Sequence, residues 1–446
     1  MAKFKIAQRE QPPKKLQHLR QQKQALWVDL KSYLPLLDIT YSSISSIAGL
    51  VTVILAIFIS SKLIQSSRIP VNKLEKSEPS VNLSTKPFVY DHQAAQLERT
   101  NNMDKYEFNY DRFGIDRRSE LTLQEFWDVY DAKWPVVLTT VMDEWPARKW
   151  STEFFNKTYG EQRIVMKAVQ GTLKNARGLA LPLHLFIQHL NDSSPTSWTY
   201  LEDELFLPQR PELYNQVPRN LYTEEDFFPL FPKEVQPWDC MLLWGTAYSR
   251  SSLHIDPYNW TGTNAVLKGH KKWKLFPPGQ DDLLYVPQDG ACGFPLDCFK
   301  YNSPVDAFEP DHEQYPKFKH ALYIELDLVP GEFLIIPTGW FHQAYNTEET
   351  MAVSGQFMNR NNYLIIMEEI LKAGSIKRER LPAYFHTLLP PDQVKYLMSL
   401  LPKSVLRKGK KLTEDIIQQV ERKNQKQIKE EETRKEIEKK KKKKRN

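Results

Sequence analysis

Hydrophobic and polar positions divide the chain into stretches of distinct character. Residues 1–38 are rich in Lys, Arg and Gln and carry little apolar periodicity. From Ile39 to Ser61 no charged residue occurs, and the centre reads Ile47-Ala48-Gly49-Leu50-Val51, then an apolar run from Val53 to Ile59. At about 1.5 Å per residue this stretch matches a hydrocarbon core of about 30 Å. It is apolar on every face, which predicts a transmembrane helix over 39–64 rather than a buried helix of a globular core. A long basic region precedes it, so a signal anchor fits better than a cleaved signal peptide. Residues 65–104 are polar and contain Pro, Ser and Asn, the pattern of a linker.

The folded body is expected from residue 105. Leu121, Phe126, Trp127 and Tyr130 have the spacing of an amphipathic helix capped by Ser119 or Thr122. Residues 134–138 read as a short buried strand. Strand-like runs then recur at Met241–Trp244, Thr263–Leu267, Lys272–Phe276, Leu322–Leu326, Phe333–Ile336 and Met351–Phe357, separated by Gly, Pro and Asp. Short strands without intervening helices predict a β sandwich or barrel for 105–360. Helical patterns return at Tyr363–Leu371 and Asp392–Leu401, within an extension over 361–411. Residues 412–446 are a charged helical or disordered tail that ends in an unbroken basic run, Lys439–Arg445.

Composition narrows the class. Eleven Trp and 22 Phe suit a packed globular domain and exclude a chain disordered throughout. The net charge of +6 sits mostly at the two ends. The basic ends would suit anionic lipid heads, while nucleic acid is the weaker partner because the middle is nearly balanced. Cys240, Cys292 and Cys298 are too few for a zinc module or disulfide framework. Either Cys292 and Cys298 pair across a short loop, or all three thiols are free. Lys14, Lys15, Arg20, Lys23 and Lys31 precede the apolar span and Lys62, Arg68, Lys73 and Lys76 follow it. This modest excess predicts a single-pass type II protein whose main domain is lumenal (endoplasmic reticulum or Golgi) or extracellular. The sequons at Asn82, Asn156, Asn191 and Asn259 are compatible with that side.

The chemistry begins at His254-Ile255-Asp256. Residues i and i+2 of an extended segment face the same way, so an imidazole and a carboxylate can meet at one point. His342 is the candidate third ligand. It follows an apolar strand launched by Pro330-Gly331 and a bend at Pro337 and Gly339. Two imidazoles and a carboxylate leave coordination positions open, as Fe(II) needs for O2 and an oxidisable cosubstrate. In Gly269–Phe276, period-two alternation puts Lys271 on one face with Trp273 and Leu275, and Lys272 and Lys274 on the other. An interior Lys271 needs an anionic partner, which a cosubstrate carboxylate would supply. The alternative is a lysine that snorkels to the rim.

Together the stretches HIDPYNWTGTNAVLKGHKKWKLFPP and PGEFLIIPTGWFHQAYNTEETMAVSGQF resemble a Jumonji-C domain, nearest the phosphatidylserine-receptor-like lysyl hydroxylases. The upstream TLQEFWDVYDAKWPVVLTTVMDEWPARKWS is similar to the helical entry of that group. The resemblance covers about 105–360 and implies a mainly β fold, a double-stranded β-helix (cupin or jelly-roll) core with flanking helices. It implies that His254, Asp256 and His342 bind Fe(II) and that Lys271 pairs with the distal carboxylate of 2-oxoglutarate. It further implies cosubstrate contacts from Asn264, Ser354, Ser251 and Tyr200. Ser354 and Ser251 stand where the family often has Thr, Gln356 replaces an Asn, and Trp260-Thr261-Gly262 is an insert. These departures bear on the substrate more than on the cofactor.

The expected activity is hydroxylation of protein side chains, with lysine as nearest precedent and O2, Fe(II) and 2-oxoglutarate consumed or required. An N-methyl demethylase uses the same chemistry, but a membrane anchor argues against histone substrates. A non-catalytic scaffold would be favoured by the loss of a ligand or of Lys271, and all four are present.

Overall fold

The computed structural model describes residues 90–170, 173–287, 301–374 and 376–410, together with Thr433. The chain divides into two units, Met1–Thr85 and Lys86–Asn446, and all described residues belong to the second. The basic N-terminal tail, the span expected over 39–64, Asn82, Cys292, Cys298 and the rest of the charged tail lie outside the described residues. Among the described residues no helix is long and apolar enough to cross a membrane.

The strands, in chain order, are β1 (Asp116–Arg118), β2 (Val136–Leu138), β3 (Arg163–Gln170), β4 (Arg177–Pro182), β5 (Ser197–Asp203), β6 (Met241–Gly245) and β7 (His254–Ile255). They continue as β8 (Thr261–Lys268), β9 (Lys271–Phe276), β10 (Tyr301–Asn302), β11 (Ile324–Leu328), β12 (Phe333–Ile336), β13 (Phe341–Asn346) and β14 (Thr350–Phe357). They form a nine-stranded sheet, ordered β1-β2-β12-β8-β14-β6-β5-β3-β4, and a five-stranded sheet, ordered β10-β7-β13-β9-β11. Apart from the parallel β1–β2 pair, the pairings that build the cavity walls are antiparallel.

The sheets face each other through Trp198, Tyr200, Leu334 and Ile336 from the first and Trp273, Leu275 and Leu326 from the second. This is the face-to-face packing expected when strands alternate inward and outward residues. The opposite face of the large sheet is covered by a second apolar layer that includes Phe126, Trp145, Phe155 and Trp244. The C-terminal helices α2 (Tyr363–Ala373) and α3 (Pro390–Ser399) bury Ile366, Met367, Val394 and Leu397 in a third cluster, which also takes in Tyr258. The mainly β, jelly-roll-like core with flanking helices is therefore as the sequence predicts.

Local signals explain most elements. Thr122, not Ser119, caps the entry helix, its hydroxyl accepting from the Glu125 N–H at 3.1 Å. That helix widens to a π turn over Phe126–Tyr130. On β9, Lys271, Trp273 and Leu275 are buried while Lys272 and Lys274 stand opposite Asp327 and Glu325 of β11.

One boundary moves. Within the stretch expected as linker, α1 (His92–Asn102) folds against the domain. Asp91 caps it by accepting from the Gln93 and Ala94 N–H groups. The Arg99 guanidinium lies over the Trp134 ring at 4.2 Å, and Gln96 donates to the Lys133 carbonyl. These anchors are polar, and the one large aliphatic residue, Leu97, is 62% exposed. No apolar periodicity was there to announce the helix.

Candidate metal centre

β7 and β13 are neighbours in the five-stranded sheet, and their register places His342 directly opposite His254. The ring centroids are 4.5 Å apart. Asp256, just past the end of β7, brings Oδ1 to 3.7 Å from His254 Nε2 and 3.6 Å from His342 Nε2. One ligand atom from each residue falls within 4.8 Å of the others, close enough for all three to hold one ion. The other ring nitrogens are committed. Nδ1 of His254 donates to the Ser252 carbonyl at 2.7 Å, and Nδ1 of His342 donates to the Trp340 carbonyl at 3.1 Å. These bonds fix the tautomer that leaves both Nε2 lone pairs facing Asp256.

Electrostatics agree with a ligand set. Burial, and after it the neighbouring His342, lowers the His254 pKa to about 4, so the ring is neutral at physiological pH. Burial works to raise Asp256, but His342 and then His254 hold it below the usual carboxylate range. Gly262 of β8 makes room for that carboxylate, since a Cβ there would overlap Asp256 Oδ2.

The three residues line a cavity of about 470 Å³ together with Lys271, Asn264, Ser354, Ser251 and Tyr200. Each residue singled out in the sequence thus reaches the same space. Lys271 is 1% exposed and does not snorkel to the rim. Its ammonium donates to the Tyr200 hydroxyl at 3.0 Å and lies 5.1 Å from the Trp273 ring centre. Burial lowers its pKa to about 7, opposed by Glu202. Burial also raises Tyr200 well above the ordinary phenol value. Asn264 of β8 sits opposite Ser354 of β14. The Asn264 amide oxygen and the Trp273 indole N–H are buried without partners. A cavity wall with a desolvated ammonium and unpaired polar atoms fits a small polar anion. The Ser251 hydroxyl accepts from the Ala344 N–H at 3.1 Å, which ties it to the strand of His342.

Sequence reasoning gave no role to Trp273, whose ring packs 5.9 Å from His342, nor to Glu202 and Glu204, which also line the cavity. Tyr200 and Glu202 fall at i and i+2 of β5, the same-face spacing that carried that signal, and Glu204 follows just past the strand's end. The sequon residue Asn259 is buried, 8% exposed, whereas Asn156 and Asn191 are exposed.

Residues 122–363 match the model of the cupin-like domain family, more than half of the chain. The chain belongs to the cupin-like, Jumonji-C family. Similar curated proteins include lysine-specific demethylase JMJ21 of Arabidopsis thaliana, 28% identical over 63% of this chain and 28% of that protein. Bifunctional arginine demethylase and lysyl-hydroxylase psr-1 of Caenorhabditis elegans is 27% identical over 57% of this chain and 63% of its own length. The 2-oxoglutarate and iron-dependent oxygenase JMJD4 of Danio rerio is 29% identical over 45% of this chain and 47% of its own. The chain therefore spans less than two thirds of each of these cupin-like relatives.

Proposed function

We propose that this cupin-like domain is an Fe(II)- and 2-oxoglutarate-dependent oxygenase that hydroxylates protein side chains. The observation that carries the proposal is the convergence of His254, Asp256 and His342 with the buried Lys271 on one cavity. His254, Asp256 and His342 would hold the metal through two Nε2 atoms and a carboxylate oxygen. Lys271 would pair with the distal carboxylate of 2-oxoglutarate, with Asn264 and Ser354 beside it on adjacent strands and Ser251 and Tyr200 completing the wall. When bound, Fe(II) and 2-oxoglutarate supply the oxidation of a substrate C–H bond by O2, with succinate and CO2 as coproducts.

The residues of the chain do the positioning. The Ser252 and Trp340 carbonyls aim the imidazoles, and Lys271 offers a charge in a water-poor pocket where ion pairing is strong. Trp273 packs beside His342 and keeps that side dry. Glu202 and Glu204 line the cavity with Trp238, Tyr258 and Trp260. Glu202 is paired with Lys167 at 2.9 Å, and Glu204 with the aromatic lining suits a cationic side chain, which supports lysine as the substrate residue. The same lining suits an N-methylated cation, and the names of the demethylase relatives favour that second reading. An anchor over 39–64, with the domain lumenal or extracellular, would direct the activity to secreted or membrane proteins.

The decisive experiment is 2-oxoglutarate binding to the full chain in detergent, with and without Mn(II), beside His254→Ala. Metal-dependent binding lost in the variant is expected. Absence of binding in the wild type would leave a non-catalytic scaffold.

A further inference from the structure

The metal-centre residues come from two segments that are far apart in sequence, and one side chain joins them. We propose that Asn259 is a positioning residue for the metal centre, a brace that locks the loop after Asp256 to the turn from which His342 emerges. This inference rests on the reading of His254, Asp256 and His342 as metal ligands.

Asn259 lies three residues after Asp256, and its N–H donates to the Asp256 carbonyl at 2.9 Å. Tyr258 and Asn259 both adopt left-handed backbone, φ 54° and 59°, a conformation that Asn tolerates better than most residues. These two steps turn the Asn259 side chain inward. There Oδ1 accepts from the Gly339 N–H, and the Thr338 hydroxyl lies 3.2 Å from the same oxygen and also donates to the Asn259 carbonyl. Thr338 is 1% exposed. Gly339, at φ 84°, is closed off by the His92 ring of α1, which a Cβ at this position would overlap.

The turn is thus held by Asn259 on one side and His92 on the other. It leads to Trp340, whose carbonyl accepts from His342 Nδ1. The orientation of the His342 imidazole depends on that carbonyl, and the carbonyl depends on the pinned turn. Outer contacts of this kind alter metal affinity by about 10–100-fold when removed. The same burial disqualifies Asn259-Trp260-Thr261 as a glycan acceptor. Thr261 is fully buried, and its hydroxyl accepts from Asn362 Nδ2 at 2.9 Å.

The test uses the full chain in detergent, Mn(II) titration followed by electron paramagnetic resonance, the Co(II) absorption spectrum, and thermal unfolding. Asn259→Gly keeps the left-handed backbone and removes only the acceptor. It should weaken Mn(II) by about tenfold or more and change the Co(II) spectrum. Asn259→Asp keeps an acceptor oxygen and should recover affinity to within about threefold of wild type. Should Asn259→Gly fold poorly, Thr338→Val, which removes the hydroxyl from the same contact, should weaken Mn(II) in the same direction. A glycine variant with wild-type Mn(II) affinity and Co(II) spectrum overturns the brace, even if its melting temperature falls. Equal Mn(II) binding by wild type and His254→Ala would instead overturn the metal-centre reading, and the brace with it.

Discussion

His254 and His342 are register partners across the antiparallel β7–β13 pair, with ring centroids 4.5 Å apart. Directly opposite residues on one sheet face are the closest cross-strand neighbours available. The sheet itself, not a loop, therefore sets the spacing of the two imidazoles. Asp256 adds a carboxylate from the end of the same strand as His254. Replacing Asp256 with Ala leaves two imidazoles and no anion, so Mn(II) affinity should fall by at least about 100-fold. The strands that carry the rings pack through other residues, so far-ultraviolet circular dichroism should be unchanged. Retention of wild-type Mn(II) affinity by Asp256→Ala would rule out the three-residue centre.

Gly262 offers a subtler way to reach the same centre. Its missing side chain is the space that Asp256 Oδ2 occupies. In Gly262→Ala the carboxylate must rotate away, since β8 is held between β12 and β14 and cannot move easily. The expected result is a loss of roughly 10–100-fold in metal affinity with little change in melting temperature. A variant that loses stability but binds metal as wild type would show that the strand gives way instead of the ligand.

Much of this site was legible because it lies on strands with strong signals. Period-two alternation put Lys271 on the inward face of β9 with Trp273, and the structure buries both. The His-x-Asp spacing gave two candidate ligands, and the apolar strand before Pro337 gave the approach to the third. The rest lay where the pattern is weak. β4 is an edge strand whose first four residues are exposed, so its alternation carries no core signal. Helix α1 is fastened by Asp91, Gln96 and Arg99 rather than by an apolar stripe, so it read as linker. The Asn259 contact joins residues 80 positions apart through one side chain, and no local periodicity encodes such a pairing.

Glycosylation tests the proposed lumenal or extracellular placement of the domain. Asn156 and Asn191 are exposed, whereas Asn259 is committed inside the domain. If the domain is lumenal, endoglycosidase should shift the full-length protein made in a glycosylating cell. Asn156→Gln and Asn191→Gln should each reduce that shift, while Asn259→Asp should leave it unchanged. A chain with no shift at all would overturn the lumenal or extracellular placement.

Lys271 makes the cosubstrate proposal sensitive to pH. In the free protein burial lowers its pKa to about 7, against about 10.4 for an unperturbed lysine. The unfolded chain binds more protons than the folded one between these values, so this group adds stability as pH rises through that window. Cosubstrate binding reverses the balance, because a carboxylate partner favours the charged ammonium. Above pH 7, binding of 2-oxoglutarate must then recruit a proton. Its affinity should fall with rising pH, by at most about tenfold per unit. Calorimetry at pH 8 in buffers of different ionisation enthalpy should report close to one proton taken up per 2-oxoglutarate. Lys271→Met should take up none and bind 2-oxoglutarate more weakly, while Mn(II) affinity stays near wild type. An affinity independent of pH between about 7 and 9 would mean that Lys271 is already charged in the free protein or does not meet the carboxylate. In either case its assigned role would fall.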